Sequence, residues 1–261
     1  MKRLNRSGSL WKRLMIVAVW LLPSVLCDSF STSFAQSNDF GMWYELGAEK
    51  KLSRKWNIGA EVEFRTRNNV RTADRVSAGL SAEFKIFKWL KASAGYVFLY
   101  NNNKEELSMK SDNLRANKWT PGFWGVRHRT HVSLTGSFDW NRLSISLRER
   151  WQFTYRPEAK EKKYDIDEDA WEDLKSKSKH LLRSRLQLSY DIPHWKFDPF
   201  ANVELFNGWN LQKIRVQAGV EYKYKKHHAF ALTYRFQKVN ESNDDEEVNS
   251  HIIGLSYKFK F

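Results

Sequence analysis

The last eleven residues, 251–261, restrict the fold more than any other stretch of this chain. Every second position is apolar or aromatic, namely Ile253, Leu255, Tyr257, Phe259 and Phe261. A repeat of two residues is that of a β-strand with one apolar and one polar face. A strand that stops on an aromatic residue is typical of the closing strand of a bacterial outer-membrane barrel, whose lipid side must be apolar. We expect Tyr257, Phe259 and Phe261 to act as the insertion signal of such a barrel, with a soluble edge strand as the alternative.

The same alternation recurs along the chain and predicts further strands. Eleven segments show it: 40–48, 56–64, 76–84, 90–100, 126–138, 143–155, 182–190, 197–206, 214–222, 230–236 and 251–261. Most of them have the length of about 9–11 residues that suits a tilted membrane strand. We therefore predict an all-β fold, an antiparallel up-and-down transmembrane barrel of about 10–12 strands. Because single-chain bacterial barrels have an even number of strands, we expect ten or twelve, with the irregular segment at Pro199 or the first one misread, or a twelfth strand hidden elsewhere.

The connections between the predicted strands alternate in length. The long polar ones are 101–121, 157–179 and 238–250. Short periplasmic turns and long external loops are typical of outer-membrane barrels. A tryptophan accompanies four of the five short turns: Trp56, Trp89, Trp140 and Trp195. Indole rings prefer the membrane interface, so these four predict an aromatic girdle. The core of a soluble sandwich is the alternative, but it would not place tryptophans so regularly beside turns.

The amino-terminal segment 1–35 has the composition of a cleaved signal peptide. A basic stretch precedes the apolar run 14–27, and small residues lead up to a cleavage site after Ala35. The run is shorter than the roughly 20 apolar residues of a membrane-spanning helix. It also contains Cys27, the single cysteine of the chain, so the mature chain forms no disulfide. We predict a signal peptide at 1–35 and one barrel domain at 36–261.

The inward positions of the predicted strands carry about twice as many basic as acidic residues. The basic residues that we predict to line the lumen are Arg127, Arg129, Arg148, Arg150, Arg183 and Arg185, and the acidic ones are Glu61, Glu63, Glu204 and Glu221. Two interpretations follow. The side chains form a salt-bridged plug that fills a narrow barrel, or they line a basic pore that favours anions. The formal net charge of +14 does not indicate nucleic-acid binding, because the basic residues lie inside the barrel and at its turns.

Two features could carry chemistry. His131 and Ser133 share one strand face, but a serine hydrolase needs a third group, and a spacing of about 7 Å between residues i and i+2 is too long for proton transfer. We predict no catalytic residue, no cofactor and no metal site. Glu149 falls on the lipid side of its strand, where a charge is costly, so we expect it near the headgroups or turned by a bulge.

The second long loop is acidic and contains Asp165, Asp167 and Asp169. This spacing is similar to the start of an EF-hand loop, but Ala170 and Ser176 stand where that loop has glycine and glutamate. A solvated charge run is the simpler interpretation. Weak divalent-ion bridges from this loop to lipopolysaccharide phosphates are the alternative.

Three short motifs support a family resemblance. The segments 39–43 (DFGMW), 49–52 (EKKL) and 149–153 (ERWQF) resemble the DUF2490 outer-membrane barrels of Bacteroidetes. The resemblance implies a barrel in the outer membrane of a Gram-negative bacterium and carries no established activity.

The function that we predict is passive or structural, and a narrow pore that favours anions is its more specific form. The alternatives are a lipid-modifying outer-membrane hydrolase and a soluble lipocalin-like periplasmic barrel. The expected partners are outer-membrane lipid, lipopolysaccharide and the barrel-assembly machinery, and we expect a monomer.

Overall fold

The computed structural model describes residues 39–110, 115–240 and 248–261. The predicted signal peptide and the first residues of the predicted mature chain lie outside these ranges. Within the ranges, no helix is both long and apolar enough to cross a membrane.

The described chain consists of β-strands joined by turns and loops. The strands are β1 (Asp39–Lys51), β2 (Trp56–Arg67), β3 (Thr72–Lys85), β4 (Leu90–Asn103), β5 (Glu106–Met109), β6 (Ala116–Thr120), β7 (Phe123–Trp140), β8 (Leu143–Arg156), β9 (Lys162–Asp165), β10 (Ala170–Asp173), β11 (Lys177–Tyr190), β12 (Phe197–Asn207), β13 (Leu211–Tyr224), β14 (His228–Val239) and β15 (Ser250–Lys260). Eleven of them close into a barrel in the order β1-β15-β14-β13-β12-β11-β8-β7-β4-β3-β2. The prediction of an all-β barrel is confirmed, and each of the eleven periodic segments forms one barrel strand.

The barrel has an odd number of strands, so the expectation of ten or twelve is wrong. β1 pairs with β15 in parallel, from Asp39 opposite Ser250 to Glu49 opposite Lys260. The other neighbouring barrel strands pair antiparallel. Because directions alternate along an up-and-down chain, an odd number of strands closes only through one parallel pair. In a parallel pair the backbones of the two strands are also hydrogen-bonded to each other. A membrane barrel requires that its backbone groups be bonded within the barrel.

The odd count places the two ends of the barrel chain at opposite rims. The short-turn rim carries the connections 52–55, 86–89, 141–142, 191–196 and 225–227, and Phe261. The long-loop rim carries the connections 68–71, 104–122, 157–176, 208–210 and 240–249, and Asp39. In outer-membrane barrels, long loops are external and short turns periplasmic.

The two faces of the barrel wall differ in polarity. Leu46, Leu80 and Val132 on the outer face are more than half exposed, whereas Glu204 and Arg215 on the inner face are buried. Apolar side chains outside and polar ones inside are typical of a membrane barrel. A soluble lipocalin-like barrel would need the reverse.

Four short strands lie outside the barrel wall, in segments predicted to be polar loops. They form a sheet in the order β10-β9-β6-β5, called the external sheet below. Each has only four or five residues, which is too few for alternation to be recognised in a sequence.

Glu149 lies at the middle of β8, and the expectation that a bulge turns it is wrong. Its register with Leu134 on β7 and Ser184 on β11 is uninterrupted. Ser184 Oγ donates a hydrogen bond to Glu149 Oε2 at 2.7 Å. A hydroxyl donor on the same outer face reduces the cost of keeping a carboxylate there.

Deletion of Phe261 should impair closure of the barrel. Its backbone N donates to Glu49 O at 2.9 Å, and Lys51 N donates to its carbonyl O at 3.2 Å. Each bond contributes about 1 kcal/mol, and the ring contact with Phe259 at 5.4 Å is lost as well. We expect a smaller fraction of heat-modifiable protein, measured by comparing unboiled and boiled samples on a detergent gel. Phe87→Ala, in a short turn away from the seam, is the matched control. Equal folded fractions for the deletion and the control would contradict this role.

Candidate functional site

Glu204, on β12, is the acidic centre of the lumen. Its carboxylate accepts hydrogen bonds from Arg148 on β8 at 2.7 Å and from Arg183 on β11 at 3.0 Å. Arg215, on β13, lies 3.5 Å from the same carboxylate. Three arginines from three strands therefore surround one buried acid, and positive charge exceeds negative charge at this point.

Four arginines face one another on the adjacent strands β8 and β11. We call this group the arginine tetrad, which consists of Arg148, Arg150, Arg183 and Arg185. In the ladder, Arg148 lies directly opposite Arg185, and Arg150 directly opposite Arg183. Like charges in directly opposed positions destabilise a sheet, and arginine stays protonated in proteins. The tetrad therefore needs more negative charge than Glu204 supplies.

A second cluster surrounds the ring of Trp43 on β1. The guanidinium carbons of Arg65, Arg235 and Arg215 lie 3.6, 4.7 and 4.8 Å from the ring centroid. Because β1 and β13 are not neighbours in the barrel, the contact with Arg215 crosses part of the lumen. Cation–π contacts of this kind stabilise a cation without neutralising it.

Carboxylates pair with two of the arginines around Trp43. Arg65 Nε donates to Glu63 Oε1 at 2.7 Å, and Arg235 Nη2 donates to Glu45 Oε1 at 2.8 Å. The lumen is thus partly salt-bridged, as the first of the two interpretations requires, and its arginines still outnumber their carboxylate partners.

Two cavities occupy the lumen on the side of the long-loop rim. The larger has a volume of about 710 Å³, and its lining includes Gln152, Thr154, Arg183 and Arg215. The smaller, of about 320 Å³, is lined by barrel residues and by residues of the external sheet such as Lys118. On β8 and β11, the tetrad follows the larger cavity in the direction of the short-turn rim.

Several guanidinium N–H groups that are shielded from solvent lack a hydrogen-bond partner within the described ranges. They include Nε of Arg148, Arg183, Arg185 and Arg215, and Nη1 of Arg235. An unsatisfied buried donor costs about 1–3 kcal/mol, and more on a charged group. Packing within the described residues thus leaves these donors without a bond, and positive charge exceeds negative charge beside them.

The other predicted lumen residues lie away from Glu204. Arg127 Nη2 donates to Asn103 Oδ1 at 2.7 Å, and Arg129 Nε donates to Thr154 Oγ1 at 3.2 Å, both nearer the long-loop rim. Glu61, on β2, and Glu221, on β13, lie nearer the short-turn rim. Lys223 Nζ is 3.8 Å from Glu221.

Sequence reasoning placed Arg215 and Arg235 among the inward basic residues, but it missed Trp43 and Phe206 as members of the lumen site. The inward parity of Arg215 and Arg235 was visible in the alternation of their strands. Trp43 and Phe206 are aromatic and were not sought on a polar inner face. The ring of Phe206 lies 4.7 Å from the guanidinium of Arg183 and 4.9 Å from that of Arg215.

Ser133 and His131 do not form a hydrolytic pair. Ser133 is 2% exposed, and its hydroxyl accepts a hydrogen bond from Arg150 Nε at 2.9 Å. A protonated guanidinium cannot serve as a general base. The ring of His131 packs against Gly95, where a Cβ would lie 2.6 Å from the imidazole Cε1.

The four predicted girdle tryptophans are exposed at or beside the short-turn rim. Trp56 packs on Phe84 at 4.8 Å, Trp89 stacks on Phe87 at 5.7 Å, Trp195 meets Phe197 at 6.1 Å, and Trp140 ends β7. At the end of the chain, the hydroxyl of Tyr257 hydrogen-bonds His228 Nδ1 at 2.9 Å, and Phe259 packs on the same imidazole at 5.3 Å.

The external sheet has one aromatic and one charged face. A row across its four strands aligns Leu107, Trp119, Tyr164 and Trp171. On the other face, Lys118 Nζ lies 2.8 Å from Asp165 and 2.9 Å from Glu172. Residues of this charged face line the smaller cavity, so they lie at the entrance to the lumen.

Lys118 supplies a cation where the acidic loop concentrates carboxylates. Ligand oxygens of Asp165, Glu168 and Glu172 lie within 4.8 Å of one another. Hydrogen bonds from Lys118 lower the pKa of the Asp165 and Glu172 carboxyls, and the same bonds raise the pKa of Lys118. The ammonium group of Lys118 thus lies between two of these acids.

Replacement of Glu204 by Gln should destabilise the barrel. Removing one partner of a buried ionic cluster leaves uncompensated charge and costs roughly 3–5 kcal/mol. We expect unfolding at a lower urea concentration, followed by tryptophan fluorescence of the detergent-folded protein. Glu221→Gln is the control, because Glu221 is only half-buried and lies 3.8 Å from its lysine. The same shift for both variants would show that Glu204 holds no special charge cluster.

The external sheet should loosen in acid. Carboxyls with a lowered pKa stabilise the folded form above their unfolded pKa of about 4, and this contribution is lost as the pH falls through the folded pKa. We expect faster hydrogen exchange of amides in β6 and β9 as the pH falls from about 5 to about 3, after correction for intrinsic rates. Lys118→Met should abolish the change, and Lys162→Met, at an exposed pair with Asp173, should preserve it. An unchanged pH dependence in Lys118→Met would exclude this ion pair as the cause.

The chain is similar in fold to several solved membrane barrels. The NanC porin aligns with a TM-score of 0.48 and 12% identity, over 86% of this chain and 100% of that one. The β domain of the Bordetella autotransporter BrkA aligns with a TM-score of 0.47 and 12% identity, over 77% and 79%. The translocator domain of NalP from Neisseria meningitidis aligns with a TM-score of 0.44 and 12% identity, over 72% and 70%.

A search of curated proteins found no relative of similar sequence. A family model does match, over residues 40–248, and its description is "Protein of unknown function (DUF2490)". The match covers most of the barrel and confirms the family resemblance of the sequence motifs. The chain is a member of the DUF2490 family, and its described residues form a closed β-barrel of eleven strands.

Proposed function

We propose that this protein is an integral barrel of the outer membrane of a Gram-negative bacterium and that its lumen is a narrow, anion-favouring pore. The apolar outer face, the exposed tryptophans at the short-turn rim and the long loops at the other rim support the location. We also propose that lipid and lipopolysaccharide surround the barrel, that the barrel-assembly machinery inserts it, and that it acts as a monomer.

The observation that carries the pore proposal is the excess of guanidinium groups around Glu204. Arg148 and Arg183 bond to its carboxylate, and Arg215 lies 3.5 Å from it. The other two arginines of the tetrad lie directly opposite Arg148 and Arg183. A plug built for stability alone would balance this charge with more carboxylates, because directly opposed like charges destabilise a sheet.

The arrangement along the barrel axis supports a path for solute. The cavity of about 710 Å³ occupies the long-loop side and reaches Arg183. Beyond the tetrad, the inner positions of β8 and β11 are small or neutral, namely Ser146, Ser144, Gln187 and Ser189. The arginines therefore lie between a cavity with further basic side chains, such as Arg127 and Arg129, and a segment of β8 and β11 with neutral inner positions. Rings of basic side chains at such positions select anions.

A purely structural barrel is the second candidate, and the bond from Arg148 to Glu204 favours it. This bond joins β8 to β12 across the inner face of β11, so the two side chains occupy space in the lumen. No contact of Ser133 or His131 favours the third candidate, a lipid hydrolase.

Ion conductance tests the pore. Purified barrel in planar bilayers under a salt gradient should give single channels whose reversal potential indicates preference for chloride over the cation. Arg148→Glu combined with Arg150→Glu should reduce or reverse the preference for chloride, because the two substitutions together change the charge of the tetrad by four units. Arg54→Glu, in an exposed turn of the short-turn rim, is a charge-reversal control that should retain most of it.

Two results would count against an anion pore. Folded protein that forms no channels would exclude conductance and leave the structural barrel. Channels with the same ion preference in the double variant and in the wild type would show that the arginines do not select the ion.

A further inference from the structure

We infer that the arginine tetrad is a binding site for a multiply charged oxyanion, with inorganic phosphate as the simplest example. The inference deepens the proposed anion pore and rests on its arginine-rich lumen. It adds a stoichiometric site at one place, with a class of ligand that a generally basic pore would not require.

Strand register creates the site. The sequences Arg148-Glu149-Arg150 and Arg183-Ser184-Arg185 each place two arginines on the inner face with one residue between them. Antiparallel pairing of β8 and β11 then sets each arginine opposite another. Directly opposed residues have Cβ atoms about 4.5–5.5 Å apart, so four guanidinium groups extend from one small area of wall.

Charge balance argues for a multivalent ligand. The tetrad and Arg215 supply five positive charges around Glu204, the one carboxylate bonded to them among the described residues. A chloride ion would offset one of the four remaining charges. A phosphate or a polycarboxylate offsets two or more and removes more of the like-charge repulsion.

Hydrogen-bonding geometry argues for an oxyanion. A guanidinium group presents its N–H donors in a planar fork that matches the oxygens of phosphate or carboxylate. The tetrad extends four such forks from two adjacent strands. A halide has no separate oxygens to distribute among them.

The site has a route of access and a fixed scaffold. Arg183 and Arg215 line the cavity of about 710 Å³, so this cavity reaches one member of the tetrad from the long-loop side. Glu204 holds Nη2 of Arg148 and of Arg183, and Ser133 Oγ accepts from Nε of Arg150. These bonds orient the guanidinium groups before a ligand arrives, which lowers the entropic cost of binding.

Ligand-induced stabilisation of the detergent-folded barrel tests the site. Sodium phosphate should raise the temperature of heat modification in a saturable manner, and sodium chloride at the same ionic strength should raise it less. Isothermal titration with phosphate should give about one site per chain. Loss of charge-assisted bonds in Arg185→Gln should weaken phosphate about tenfold. Arg185→Lys keeps the charge without the fork and should also weaken it. Arg142→Gln, in an exposed turn, is the matched control.

The outcomes separate the site from the pore. Saturable phosphate binding that Arg185→Gln weakens would support the site even if the barrel conducts no ions, and the pore proposal alone would then fail. Equal stabilisation by phosphate and chloride at matched ionic strength would overturn the site, even if channels that favour anions are observed. Equal phosphate affinity in Arg185→Gln, Arg142→Gln and the wild type would overturn it too. Should Arg185→Gln fail to fold, titration of Arg185→Lys decides, and wild-type phosphate affinity in that variant would overturn the fork-based site.

Discussion

The excess of buried positive charge in the lumen is the constraint on which the rest of the barrel depends. Arginine cannot lose its proton in a protein, so the inner face must supply counter-charge, aromatic faces or bound anions. The counter-charge comes from Glu204, Glu63 and Glu45, and the aromatic faces come from Trp43 and Phe206. The carboxylates and the aromatic rings do not balance the positive charge of the tetrad, because its opposed arginines share a single buried carboxylate. The proposed anion pore and the proposed oxyanion site both follow from this imbalance.

The wall around this charge is maintained by continuous backbone pairing. Eleven strands close through the parallel β1–β15 seam, so the described barrel wall has no open edge strand. The odd strand number separates the two ends of the barrel chain between the rims, and Phe261 completes the seam at the short-turn rim. The external sheet adds an ion-paired face at the other rim, where Lys118 holds Asp165 and Glu172. The lumen therefore has charged side chains at its long-loop entrance as well as at the tetrad.

Most of the fold could be predicted from alternation, because a membrane barrel has one apolar and one polar face along every strand. The eleven periodic segments became the eleven barrel strands. The errors arose where the pattern gave no information. The rule of even strand number misled the count, since closure depends on pairing and not on parity. The four strands of the external sheet were too short to show a period. Glu149 broke the apolar pattern, but its partner Ser184 lies on a different strand.

By itself, the sequence determined the barrel class, the inward arginines and the aromatic residues of the short-turn rim, because each of these depends on local periodicity or composition. Only the tertiary structure decided which charges meet. Glu204 is 56 residues from Arg148 and 21 from Arg183 in the chain. No local sequence pattern indicates that residues so far apart in the chain are in contact. Register between strands brought Arg148 opposite Arg185, and barrel closure brought Trp43 against Arg215. Contacts of this kind arise from pairing across the whole sheet, so the site could be proposed as basic from the sequence but located only from the fold.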